Sequence, residues 1–123
     1  MAFVTTKFDD ASEYKIAYNS QITNDVTSNL TGGPGVLYSV KIENTNNAAV
    51  YLKMANAYTA TSGTTAPDWI FECAASSTYF FEIPGGVEFN ALSCWATEAA
   101  AINNDVTPSV SGNEYVRVTI VTG

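Results

Sequence analysis

Histidine is absent, Lys and Arg together number 5 against 12 Asp and Glu, cysteine occurs 2 times, and no apolar run approaches the ~20 residues of a membrane helix. Without imidazole there is no Ser-His-Asp or Cys-His pair, no ordinary zinc site and no side chain whose unperturbed pKa lies near neutrality. Catalysis would have to rest on carboxylates alone, so the expectation is a protein that is not an enzyme and holds no cofactor. The net charge of -7 repels phosphate backbones and anionic lipid, which sets aside nucleic acid and membranes as partners. The opening MAFVTTKFDD has neither the basic stretch nor the apolar stretch of a secretion signal, and synthesis in a cytoplasm is expected. In that reducing setting Cys73 and Cys94, on strands expected to be neighbours, read as buried free thiols, with a bridge between them as the alternative.

What the chain has in quantity is alternating apolar sequence. Its 123 residues, 46% apolar and 12% aromatic, suit one domain that buries roughly two-thirds of its unfolded surface. Tyr14 to Ile22 alternates as a half-buried strand, and Thr23 to Gly35 is turn chemistry ending in Gly32-Gly33-Pro34-Gly35. In GVLYSVKIEN, Val36, Tyr38, Val40 and Ile42 oppose Leu37, Ser39, Lys41 and Glu43; in AVYLKMA, Val50, Leu52 and Met54 oppose Tyr51, Lys53 and Ala55. With the Asn44 to Asn47 turn between them, these two runs predict a β-hairpin with one core face and one wet face. The polar link Thr59 to Asp68 suits a crossover between sheets. Trp69 to Cys73 and Tyr79 to Ile83 read as aromatic strands, Pro84-Gly85-Gly86 as a break, Val87 to Asn90 and Leu92 to Thr97 as further strands, Glu98 to Ile102 as one helical turn, and Tyr115 to Thr122 as the last strand.

The fold class expected is therefore all-β: a single antiparallel β-sandwich or jelly-roll-like domain of about eight strands over residues 14–123. Residues 1–13, whose large apolar groups are Phe3, Val4 and Phe8, read as an N-terminal arm that docks on a partner or as a first edge strand. Tyr51, Tyr58, Trp69 and Trp95, with Phe80, supply flat faces for stacking on sugar rings; core packing or a subunit interface is the competing account. Glu72, Glu82 and Glu88 lie near aromatics as glycosidase carboxylates do, yet they alternate with apolar neighbours as wet-face residues do. Asp9, Asp10, Asp25, Asp68 and the Asn103-Asn104-Asp105 turn are hard oxygen ligands without the spacing of a calcium loop, and no metal is expected.

The segments LYSVKIENTNNAAVYLKMANAYTATSGTTAPDWIFE and YFFEIPGGVEFNALSCWAT carry an ordered set of features. A strand ends near an Asn (Val40 to Asn44), a VYLK-like strand follows (Val50 to Lys53), then a Thr-Ala-Pro-Asp link (Thr65 to Asp68) and a Pro-Gly-Gly-x-x-Phe corner (Pro84 to Phe89). Over roughly residues 36 to 97 the chain resembles small virion proteins of tailed bacteriophages, of the capsid decoration (cement) type. The resemblance implies a structural protein made in the host cytoplasm and carried on the outer capsid surface, where it binds the major capsid protein and stabilises contacts between capsomers. It also implies a homo-oligomer, a trimer by preference, and it carries over no binding residue. The alternative within the same resemblance is a glycan- or host-binding module of a tail, fibre or head appendage.

Overall fold

The computed structural model describes residues 2–7 and 14–123, and in them the chain is all-β, with eight strands in two antiparallel sheets. The strands are β1 (Val4–Lys7), β2 (Lys15–Asn19), β3 (Gly35–Asn44), β4 (Val50–Asn56), β5 (Trp69–Cys73), β6 (Ser77–Phe89), β7 (Leu92–Thr97) and β8 (Val116–Thr122). The larger sheet runs β1-β2-β8-β3-β6 and the smaller β5-β4-β7. Among the described residues there is no helix, and so none long and apolar enough to cross a membrane.

The two sheets form a β-sandwich because their alternating apolar residues meet. Leu37, Val40 and Ile42 of β3 and Val116, Val118 and Ile120 of β8 pack against Val50, Leu52 and Met54 of β4 and Leu92, Cys94 and Ala96 of β7. Each large aliphatic side chain sealed there contributes about 1.5–3 kcal/mol. The β3 pattern changes phase at a bulge: Leu37 is opposite Thr122 and Ser39 opposite Val121, so Tyr38 is an extra residue and Leu37, not Val36 or Tyr38, takes the buried place. Opposite that bulge, β6 makes its own excursion at residues 83–86, since Leu37 pairs with Val87 but Ser39 with Glu82. Pro84-Gly85-Gly86, expected as a break, is thus a bulge inside one long strand.

Other expectations are corrected as well. β3 and β4 do not form a hairpin; they lie in different sheets, and the turn between them carries the chain across the sandwich. The buried Asn44 carboxamide sets that corner: its Nδ2 donates to the carbonyls of Ala48 (2.9 Å), Ala74 (3.1 Å) and Cys73 (3.3 Å), and its Oδ1 accepts from the Asn46 N–H (3.0 Å). Those bonds tie the β3–β4 turn to the β5–β6 turn, both of which pass between sheets. The Thr59 to Asp68 link, expected to cross, instead joins β4 to its neighbour β5 in the same sheet. Glu98 to Ile102 forms bends and a turn with no helix.

Those last residues have another task. The segment 98–107 lies over the outer face of the small sheet, where the Lys53 ammonium donates to the Ala101 carbonyl (2.7 Å) and the Asn104 carbonyl (3.5 Å). It meets the 57–68 loop, for a Cβ built on Gly63 would stand 2.9 Å from Asp105 Cβ. Lys53 and Trp95, opposite each other on β4 and β7, are sealed beneath. Lys53 was expected on a wet face; the loop cover makes it an inside residue.

Candidate functional site

The outer face of the small sheet is covered over β4 and β7, with Ile70 and Glu72 of β5 exposed beside them, whereas the outer face of the large sheet is open. Register carries a row straight across the uncovered side: Val4 faces Tyr18, Tyr18 faces Thr119, Thr119 faces Lys41 and Lys41 faces Phe80. A second row beside it runs Thr6, Ile16, Val121, Ser39, Glu82. Strand alternation turns both rows away from the core, because Ala17, Ile120 and Val40 between them belong to it. Val4, Tyr18 and Phe80 are 67%, 39% and 59% exposed, so the face is open.

Its charge is balanced where the chain as a whole is acidic. Lys41 and Arg117 stand with Glu43 and Glu82, Arg117 being opposite Glu43 and held with its guanidinium carbon 3.7 Å from the centre of the Tyr115 ring. Glu88 lies further along β6, beyond the bulge. The other described acids, Asp25, Asp68, Glu72, Glu98, Asp105 and Glu114, lie on loops and on the small sheet. Of the remaining described cations, Lys15 donates to the Thr31 carbonyl (2.8 Å) and Lys53 is inside. The large sheet thus presents an open, apolar-rich and nearly neutral face on an acidic body, the features by which contact surfaces are sought.

The residues singled out from sequence are dispersed. Phe3 belongs to the core, its N–H donating to Thr27 Oγ1 (3.3 Å), and Val4 is on the open face at the sheet edge. Phe8 lies outside the described residues. Trp95 is 1% exposed beneath the loop cover, with no hydrogen-bond partner for its Nε1 among the described residues, so its ring offers no face to a sugar. Tyr51 is half-buried opposite Thr97, on the side of the small sheet that Trp95 occupies. Trp69 sits opposite Met54 and packs against the core, whereas Tyr58 is exposed in the loop after β4. These four do not meet in one surface platform.

Acidic and thiol chemistry is likewise dispersed. Glu72, on the small sheet, and Glu82 and Glu88, on β6, are all exposed. Asp68 Oδ2 accepts from the Asn56 N–H (2.7 Å) and Asp105 Oδ1 from Asn24 Nδ2 (3.1 Å), both as loop fasteners. Asp9 and Asp10 lie outside the described residues, within which no group of three or more His, Cys, Asp or Glu side chains is placed to hold a metal. Cys73 and Cys94 are free and flank β4 on opposite sides, not neighbouring strands. Burial raises both thiols above their ordinary pKa, Cys94 strongly, while backbone hydrogen bonds partly offset the rise at Cys73.

The open face itself was missed in sequence. Its signal is the placing of bulky Ile16, Tyr18 and Phe80 on the strand side opposite the core residues, but only register shows that they share one surface. No family model, no curated protein and no solved structure matches the chain.

Proposed function

We propose that the chain is a structural virion protein, a phage capsid decoration protein that binds the outer surface of the head and stabilises contacts between capsomers. The observation that carries this reading is the open, nearly neutral face of the five-stranded sheet on an otherwise acidic, loop-covered domain. Such a face offers contact area without chemistry, and the resemblance over residues 36 to 97 supplies the class of partner, the major capsid protein. The acidic remainder keeps the domain away from a packaged genome. β1, a short edge strand with Val4 exposed, offers a free backbone edge and an apolar side chain to the shell. Binding only to the assembled shell stabilises that state by linkage, and many weak contacts repeated over a lattice add avidity.

The test is quantitative mass spectrometry of purified virions. A copy number comparable with that of the major capsid protein is expected. A handful of copies would move the chain to a tail or fibre part, and its absence would end the virion reading. Val4→Asp is expected to weaken rebinding to stripped particles while leaving the circular dichroism spectrum unchanged.

A further inference from the structure

The open sheet face has the properties of a surface that meets its own copy. We infer that two copies of this chain pack face to face through the outer side of the five-stranded sheet, about a two-fold axis running along the strands between β8 and β3. Charge is the first reason. Two bodies of net charge -7 repel each other, and the described face that keeps cations in balance with acids is this one, with Lys41 and Arg117 beside Glu43 and Glu82.

Register is the second reason. That axis lays β8 of one copy over β3 of the other and β2 over β6. Arg117 then lies over Glu43 of the other copy, and Tyr18 over Phe80 of the other copy, each contact occurring twice. Aligned sheets pack about 10 Å apart with strands within roughly 30° of one another, a spacing that side chains of this size fill. The two exposed aromatic rings thereby cover each other, and the cation opposite an acid within one sheet meets a second acid across the interface.

Area is the third reason. The four overlapped strands, β2, β8, β3 and β6, ~4.8 Å apart and each contributing roughly five to seven residues of ~3.4 Å, give a face of about 330–460 Å² per copy in plan. Two such faces remove on the order of 650–900 Å², the size of a weak and reversible contact, which suits a monomer–dimer equilibrium. β1 falls outside the overlapped strands and stays at the rim. On the function proposed above, the pair would present two β1 edges to the shell, but the pairing is a property of the chain alone. Its test therefore uses purified protein, and a monomer would overturn it without touching the virion copy number.

Sedimentation equilibrium of the full chain over a dilution series is expected to show a monomer–dimer equilibrium. Phe80→Glu and Tyr18→Lys, both at exposed positions, are each expected to weaken dimerisation at least ~10-fold with the thermal melt little changed. An equimolar mixture of the two variants is expected to regain association, because the new ammonium of one lies over the new carboxylate of the other. Within one copy the two positions are three strand spacings apart, ~14 Å, too far for that rescue to arise internally. A monomer at every concentration, a trimer, a dimer indifferent to Phe80→Glu, or a mixture that fails to associate would each overturn the inference.

Discussion

Lys53→Met keeps the length of a buried stem and removes only its ammonium, whereas Lys53→Ala removes the stem as well. The side chain lies beneath the 98–107 segment, bonded to the Ala101 and Asn104 carbonyls. Truncation to alanine deletes three buried methylenes, about 2.4 kcal/mol of transfer energy, and the cavity left behind raises the loss to about 3–5 kcal/mol. Methionine fills that space. It forfeits a charge-assisted hydrogen bond worth about 1.5–3 kcal/mol, but it also relieves the desolvation of a charge.

Burial pushes the Lys53 ammonium below its usual pKa, and Asp105, which opposes the shift, does not cancel it. Desolvation therefore outweighs attraction, and Lys53→Met is expected to cost less than about 1.5 kcal/mol. The same balance sets a pH dependence. Between the lowered folded pKa and the unfolded value near 10.5 the unfolded chain binds more protons, so this residue's contribution to stability rises as pH rises through that window. Below the folded pKa its penalty is fully present. Urea unfolding of the parent and both variants from pH 7 to pH 10.5 measures this, since the parent-minus-methionine difference cancels the tyrosines and thiols. A methionine variant as unstable as the alanine variant, or a difference that does not grow with pH, would refute the reasoning.

Gly85 and Gly86 both have positive φ, 78° and 73°, but they differ in surroundings. Gly85→Ala is expected to cost about 1–2 kcal/mol for backbone strain alone, while at Gly86 the new Cβ collides with Val36 Cγ1 and stands 2.9 Å from Tyr38 Cε1, raising the cost to about 3 kcal/mol or more; equal losses in thermal melts would contradict this. Asn44→Ala strips three carbonyls and one N–H of their partner and is expected to cost about 2–4 kcal/mol in denaturant unfolding; a loss under about 1 kcal/mol would mean that the corner does not depend on it. Because burial raises both thiols, folded protein at pH 8 is expected to react slowly with a disulfide reagent, Cys94 more slowly than Cys73, and both to react at once in urea; rapid labelling of folded protein would refute it.

Most strands were legible because alternation with period two is a local property. Trp69–Cys73, Leu92–Thr97 and the long runs of β3, β4 and β8 stand close to where their sequence places them. Partner choice was not legible: the Asn44 to Asn47 turn looks like a hairpin tip until the Asn44 carboxamide is seen joined to Cys73 and Ala74 some thirty residues on. Alternation also says that a strand has two faces without saying what covers each. Lys53 reads as a wet-face residue, and Trp95 as either a stacking face or a packed ring, because the segment that buries them lies elsewhere in the chain. The open face failed to appear for the same reason, since Tyr18 and Phe80 are brought onto one surface by strands remote in sequence.

The excursion in β6 bears on how copies can add to one another. An uninterrupted thirteen-residue edge would be a template for ladder after ladder, the route by which β proteins polymerise into fibres. Proline at position 84 offers no N–H there, and the two glycines after it turn the backbone into left-handed conformations, so an incoming strand would lose its register midway. Growth by the β6 edge is blocked while the flat of the sheet stays available, which favours small closed assemblies over endless ones.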